Sequence, residues 1–273
     1  MNKNNRVFLV LASLLGLALT QCKAFDNESY DPTKDLSGYS SVYSEVTEDG
    51  VWIEETTVVG SGDNYRTSIT IPAKNARGEY ITDIGEDAFT RHTRMHKVLF
   101  AADSQVKTIR DHGFNNCSAL TVIDLPESLE TIGVGAFGNC SRLSNIRIPK
   151  NVTSIGANAF YNCHMLASFE FPEKVTKFED YLFNKCHMLY TVMMHKDMAE
   201  ICENAFYGIE ECSFYYWGSK EEFKAIKGSK YAPESKMYYY SINKPSEEEN
   251  DGHYWRYVPD LGPEPWPIEQ FTL

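Results

Sequence analysis

A phenylalanine returns along this chain with a nearly fixed step. Phe89, Phe114, Phe137, Phe160, Phe183 and Phe206 are separated by 25, 23, 23, 23 and 23 residues. Other letters keep step with it. Cys117, Cys140, Cys163 and Cys186 each stand three residues after a Phe, and Leu120, Leu143, Leu166 and Leu189 three after each Cys. Pro72, Pro126, Pro149 and Pro172 close the apolar run that follows. Columns held in register over more than a hundred residues leave one fold class, a repeat solenoid.

One repeat shows the physics. Leu120 to Leu125 alternates around Ile123 and Leu125, which predicts a short strand with one buried face. Pro126 ends it, because proline has no N–H for a ladder. Ile132 turns inward again, and Gly133 provides either a turn conformation or room for a close backbone approach. Ala136, Phe137, Cys140 and Leu143 complete the interior set on the returning arm. A single coil cannot cover its apolar side. Stacked coils can, with like strands pairing in parallel about 4.8 Å apart. The six phenylalanines and the four ladder cysteines are therefore expected as buried rows, and the residues between them as surface.

The motif Leu-x-x-Ile-x-Ile-Pro-x-x-Val-x-x-Ile-Gly-x-x-Ala-Phe-x-x-Cys-x-x-Leu resembles the BspA-like class of bacterial leucine-rich repeats. Asn151 to Gly156 and Ala159-Phe160 carry it nearly letter for letter. The resemblance implies a parallel sheet of short strands with short irregular or helical returning arms. It also extends to the entry repeat, to the closing strand and helix, and to an aromatic tail. Ala101 and His195 depart from it at the proline, as do Arg110, Glu179 and Cys202 at the glycine, which changes local turns only.

The boundaries follow. Residues 1–21 read as a lipoprotein-type signal peptide: Lys3 and Arg6 precede an apolar run from Val7 to Thr20, and "LTQC" makes Cys22 the lipidated first residue of the mature chain. Gln21 departs from the small residue usual before that cysteine, and the alternative is cleavage near Ala24, which gives a secreted protein. Residues 22–45 read as a flexible spacer, and 46–64 as an N-terminal cap strand centred on 51–59. The solenoid of about six repeats spans 65–218, and 219–273 holds a helix over 219–229 and an aromatic hairpin of 236–242 with 253–258. Both ends need such caps, since an open solenoid exposes apolar rows and strand edges. Tyr254, Trp255 and Trp266 either cover the last coil or form a ligand platform.

Charge and chemistry narrow the function. A net charge of −12 argues against nucleic acid, whose affinity comes from clustered Lys and Arg. Stacked cysteines lie farther apart than the ~3.8 Å between Cβ atoms that a disulfide needs, so Cys117, Cys140, Cys163 and Cys186 are expected as free thiols. A bridge between Cys202 and Cys212 stays open. His164 and His187 each follow an interior cysteine and so face outward, which supplies neither the four ligands of a zinc site nor a Cys–His nucleophile. No catalytic motif, metal or cofactor is expected, and the chain reads as a non-enzyme.

The strand face remains as the binding surface. Its candidate residues are Lys97, Asp124, Asn145, Arg147, Glu170, Met193, Phe214 and Tyr216. Arg147 falls between Asp124 and Glu170 on adjacent coils, where the charges would satisfy one another. Met193, Phe214 and Tyr216 would form an apolar patch near the exit. The signal sequence implies a surface protein anchored in the outer membrane by its N-terminal lipid alone, and the family resemblance implies adhesion to host matrix proteins or other cells. Two other functions are consistent with the sequence: a glycan-binding accessory of a surface uptake system, or a scaffold for co-exported proteins.

Overall fold

The computed structural model describes residues 9–12, 42–61, 66–209, 211–243, 245–246, 252–258 and 262–265. Within the repeats the coils build two parallel ladders. The first runs through Ser68–Ile71, Lys97–Phe100 and Val122–Ile123, and is taken up again by Ser168–Glu170, Thr191–Met194, Ser213–Tyr216 and Met237–Tyr240. Like positions pair, as Thr70 with Leu99 and Glu170 with Met193. Ser144 to Ile148 follows the same path without strand pairing, and its Ile146 and Ile148 still point inward.

The returning arm is more regular than expected. It carries a second ladder of two-residue strands at Asp83–Ile84, Thr108–Ile109, Thr131–Ile132 and Ser154–Ile155, continued by Lys177–Phe178 and Glu200–Ile201. Among the described residues the arms contain no helix. Five successive coils instead make two corners each in the left-handed region. One falls at Asp87, His112, Gly135, Asn158 and Tyr181, the other at Arg91, Asn116, Asn139, Asn162 and Lys185. Asparagine tolerates that conformation better than other side-chain-bearing residues. Its amides also tie coils together: Asn162 Nδ2 donates to Asn139 Oδ1 at 2.8 Å.

Gly133 is needed for room, not for its backbone angle. A Cβ there would lie 2.6 Å from the Asp111 nitrogen, and one at Gly156 would lie 2.6 Å from the Val134 nitrogen.

The interior is built from the repeated columns. Phe89, Phe114, Phe137, Phe160 and Phe183 stack with ring centroids 5.1, 5.5, 5.5 and 5.9 Å apart. Each buried ring contributes roughly 1.5–3 kcal/mol. Phe206 leaves the row. It is only partly buried and packs edge-on against Phe178 and Phe214, because Phe169, Phe171 and Phe178 thicken the core at the exit. The cysteine column is buried, and its thiols donate backwards: Cys117, Cys140, Cys163 and Cys186 to the carbonyls of Phe89, Phe114, Phe137 and Phe160. At the entry coil His92 takes the cysteine place, with its ring nitrogens 3.1 Å from Phe89 O and 2.7 Å from Ser61 Oγ.

Both caps differ from the expected elements. The entry cap is not one strand. Val51–Glu54 and Thr57–Ser61 form a hairpin that turns at Glu55, whose φ is 54°, and Thr57–Ser61 then pairs in parallel with Asp83–Ile84. Val42–Val46 pairs outside it, so the cap begins inside the stretch read as a spacer. Leu9–Ala12, within the apolar leader, pairs antiparallel with Val42–Val46. Cys22 lies outside the described residues.

At the exit the helix is Lys220–Ala225, shorter than 219–229. Ser219 caps its N-terminus and Glu222 returns the bond to the Ser219 nitrogen. Met237–Tyr240 does not form a hairpin with the next strand. It pairs in parallel with both Ser213–Tyr216 and Tyr254–Val258. A parallel neighbour requires a return connection of about a dozen residues, and the acidic stretch after Tyr240 is long enough to make it. The antiparallel partner of Tyr254–Val258 is Gly262–Pro265, where Trp255 faces Pro265 and Tyr257 faces Pro263.

Candidate binding face

The outward side of the first ladder is the surface on which the candidate residues meet. Lys97, Asp124, Asn145, Arg147 and Glu170 are exposed and stand one coil apart or on neighbouring positions of one coil, while Met193 is half-buried. Val122, absent from the expected set, is exposed between them, and Leu99 is half-buried beside it. These are apolar letters in a solvent column, the signal that would have marked them.

Arg147 does not bridge Asp124 and Glu170. Its guanidinium turns along the coil edge to the Glu127 carboxylate. Glu127 follows Pro126 at the strand end, where a long side chain reaches it without lying flat across the pleat. Asp124 and Glu170 therefore keep exposed carboxylates with no ion-pair partner among the described residues.

Phe214 and Tyr216 are not on this face. Both are buried, and the residues that point outward are Ser213 and Tyr215. The cause is a one-residue deletion. Cys212 occupies the leucine column, 23 residues after Leu189, yet the strand starts at the next residue instead of two later. A register slip of one turns every side chain to the opposite face. Tyr216 then places its hydroxyl on the Lys196 carbonyl at 2.9 Å, and burial pushes its pKa up to about 12.

The outward face at the exit is consequently aromatic, but closed. Trp255 is fully buried, donates through Nε1 to Tyr216 O at 3.0 Å, and sits against Tyr215, Trp217 and Tyr240. Tyr254 is half-buried, and Trp266 lies outside the described residues. Among the described aromatics of the tail, Tyr257 is the most exposed.

The thiols show no disposition to react. Burial raises Cys117 and Cys186 to about 12, and Cys140 and Cys163 well above the usual thiol range. Cys202 contacts Glu179 on the second ladder, whereas Cys212 is buried in the leucine column, and both are free. His195, in the proline column, is buried and satisfied by Val175 O at 2.8 Å and the Asp197 nitrogen at 3.2 Å. A groove of about 370 Å³ lies beside Tyr207 and Tyr231, away from the strand face. Among the described residues no helix is long and apolar enough to cross a membrane.

Comparison with known proteins agrees with this architecture. Residues 82–213 match the family described as BspA type Leucine rich repeat region, in six copies. The T. pallidum leucine-rich repeat protein TpLRR is similar in fold, with a TM-score of 0.54 at 22% identity over 58% of this chain and 72% of that one. A leucine-rich repeat protein from Bacteroides ovatus aligns at a TM-score of 0.47 and 23% identity, covering 63% of this chain and 52% of that one. No curated protein matches the sequence. Residues 82–213 of this chain are thus a BspA-type leucine-rich repeat region.

Proposed function

We propose that this chain is an exported bacterial surface protein, held by a lipid on Cys22, that binds a protein partner through the outward face of its first strand ladder. One observation carries the reading. Asp124 and Glu170 stand exposed and unpaired on a rigid face, with apolar Val122 exposed and Leu99 and Met193 half-exposed among them. Interleaved charge and apolar area on preorganised backbone is what a protein interface uses, because little ordering entropy remains to be lost on docking. Adhesion to host matrix or cell-surface proteins is the form of binding the family resemblance favours. A sugar platform in the tail has less support, since Trp255 is enclosed by its neighbours.

The test is saturable binding of the purified chain to a panel of matrix proteins and glycans. The reading expects a protein ligand whose binding is lost in Asp124→Lys/Glu170→Lys and retained when Lys224 on the terminal helix is replaced by glutamate. Absence of any protein ligand overturns it, as does binding that the double variant leaves unchanged.

A further inference from the structure

The run Cys-His-Met-Leu occurs twice, at 163–166 and 186–189, one repeat apart. In each copy the outer letters are buried in the cysteine and leucine columns, and the two between them are forced into solvent. The corner that presents them is fixed by backbone bonds. Cys163 and Cys186 donate to the carbonyls of Phe160 and Phe183, and Leu166 and Leu189 donate to Cys163 and Cys186. Parallel stacking therefore places His164 above His187, with ring centroids 5.3 Å apart and planes inclined by 38°. The same position in the two preceding coils is Ser118 and Ser141, so the histidine column begins at His164.

Two imidazoles held side by side offer two nitrogen donors to one ion. No third His, Cys, Asp or Glu joins them among the described residues, which leaves a zinc site of the structural kind incomplete. Copper does not need more. Divalent copper binds nitrogen ligands more tightly than the other first-row divalent ions and fills its remaining positions with water. Met165 and Met188 follow the two histidines in sequence, both exposed, with the Met188 sulfur 3.5 Å from the Tyr190 hydroxyl, and thioethers are ligands suited to the cuprous ion. From this geometry we propose that His164 and His187 together bind one copper ion at the protein surface, with Met165 and Met188 as additional ligands when the ion is cuprous. The site is independent of the strand face, so either can fail without the other.

The experiment uses the full chain and copper(II) sulfate, titrated against glycine as a weak competitor and followed by calorimetry and electron paramagnetic resonance. The proposal expects one equivalent of copper with hyperfine splitting from two imidazole nitrogens. His164→Ala or His187→Ala should each weaken it by more than about tenfold, and the double variant should abolish that spectrum. Under reducing conditions Met165→Leu/Met188→Leu should weaken copper(I) binding while leaving the copper(II) spectrum intact. Copper held by Cys22, Cys202 or the terminal amine would persist in the double histidine variant. Persistence of the two-nitrogen signal there, or no signal of that kind in the parent, overturns the proposal. Both histidines are exposed, and an unchanged circular dichroism melt confirms that the variants fold.

Discussion

Cys163 donates its thiol hydrogen to the carbonyl oxygen of Phe137, one coil back, at 3.2 Å. The same Phe137 carbonyl accepts the Cys140 backbone N–H, so the cysteine row stitches successive corners together instead of merely filling space. Its chemistry should be correspondingly inert. With the Cys117 and Cys186 thiols pushed up to about 12 by burial, little of the reactive thiolate is present at pH 8. In a Cys22→Ser chain, Ellman's reagent should label half-exposed Cys202 first and reach the ladder only after denaturant is added. Rapid labelling of the ladder in the folded protein would contradict this account.

Phe137 is held between Phe114 and Phe160, both 5.5 Å away and with their rings nearly parallel to its own. Phe137→Ala should cost about 3–5 kcal/mol, because neighbouring coils hold the cavity open. Urea denaturation measures the loss.

Gly156 has a different vulnerability. An added methyl would meet the Val134 nitrogen at 2.6 Å and the Gly133 carbonyl carbon at 2.8 Å, and backbone cannot move aside as a side chain can. Gly156→Ala should therefore destabilise by about 1–3 kcal/mol although no contact is removed. Thermal unfolding of the variant checks it.

The last repeat provides a test of register. Phe214 is fully buried and Ser213 half-exposed, so Phe214→Ala should cost about 3–5 kcal/mol and Ser213→Ala less than about 0.5. Equal, small effects in urea melts would place Phe214 on the surface.

Ser219 accepts the Glu222 N–H at 3.2 Å, and Glu222 answers with a 2.7 Å bond to the Ser219 nitrogen. Ser219→Ala should cost about 1 kcal/mol and raise hydrogen exchange in Lys220–Ala225. Since Phe223 packs edge-on against Tyr216, exchange in the exit strand should rise with it.

The interior was legible in the sequence wherever one residue type recurs at one spacing, since a column of Phe, Cys or Leu can satisfy its burial only by stacking. Legibility ended where spacing and chemistry part. Cys212 keeps the 23-residue step from Leu189, and the deletion behind it is hidden because Phe214, Tyr215 and Tyr216 are all aromatic. The entry hairpin turns at Glu55-Thr56, which carries no glycine, proline or asparagine to announce a turn. On the candidate face the row of positions could be read from the repeat, but the direction of a long side chain could not, and Arg147 reaches Glu127 instead of its row neighbours. The histidine pair needed the stacking direction. Within one coil Cys163 and His164 diverge, and only between coils do His164 and His187 converge.

The outermost strand, Gly262–Pro265, presents Pro263 and Pro265 to its partner's register positions Tyr257 and Trp255. Neither proline has an N–H, so at these two positions the free side of that strand has no hydrogen to lend to a newcomer. A protein made of stackable coils carries an inherent hazard of end-to-end growth into filaments. Among the described residues this last edge is a poor acceptor of a further strand, which disfavours growth from that end.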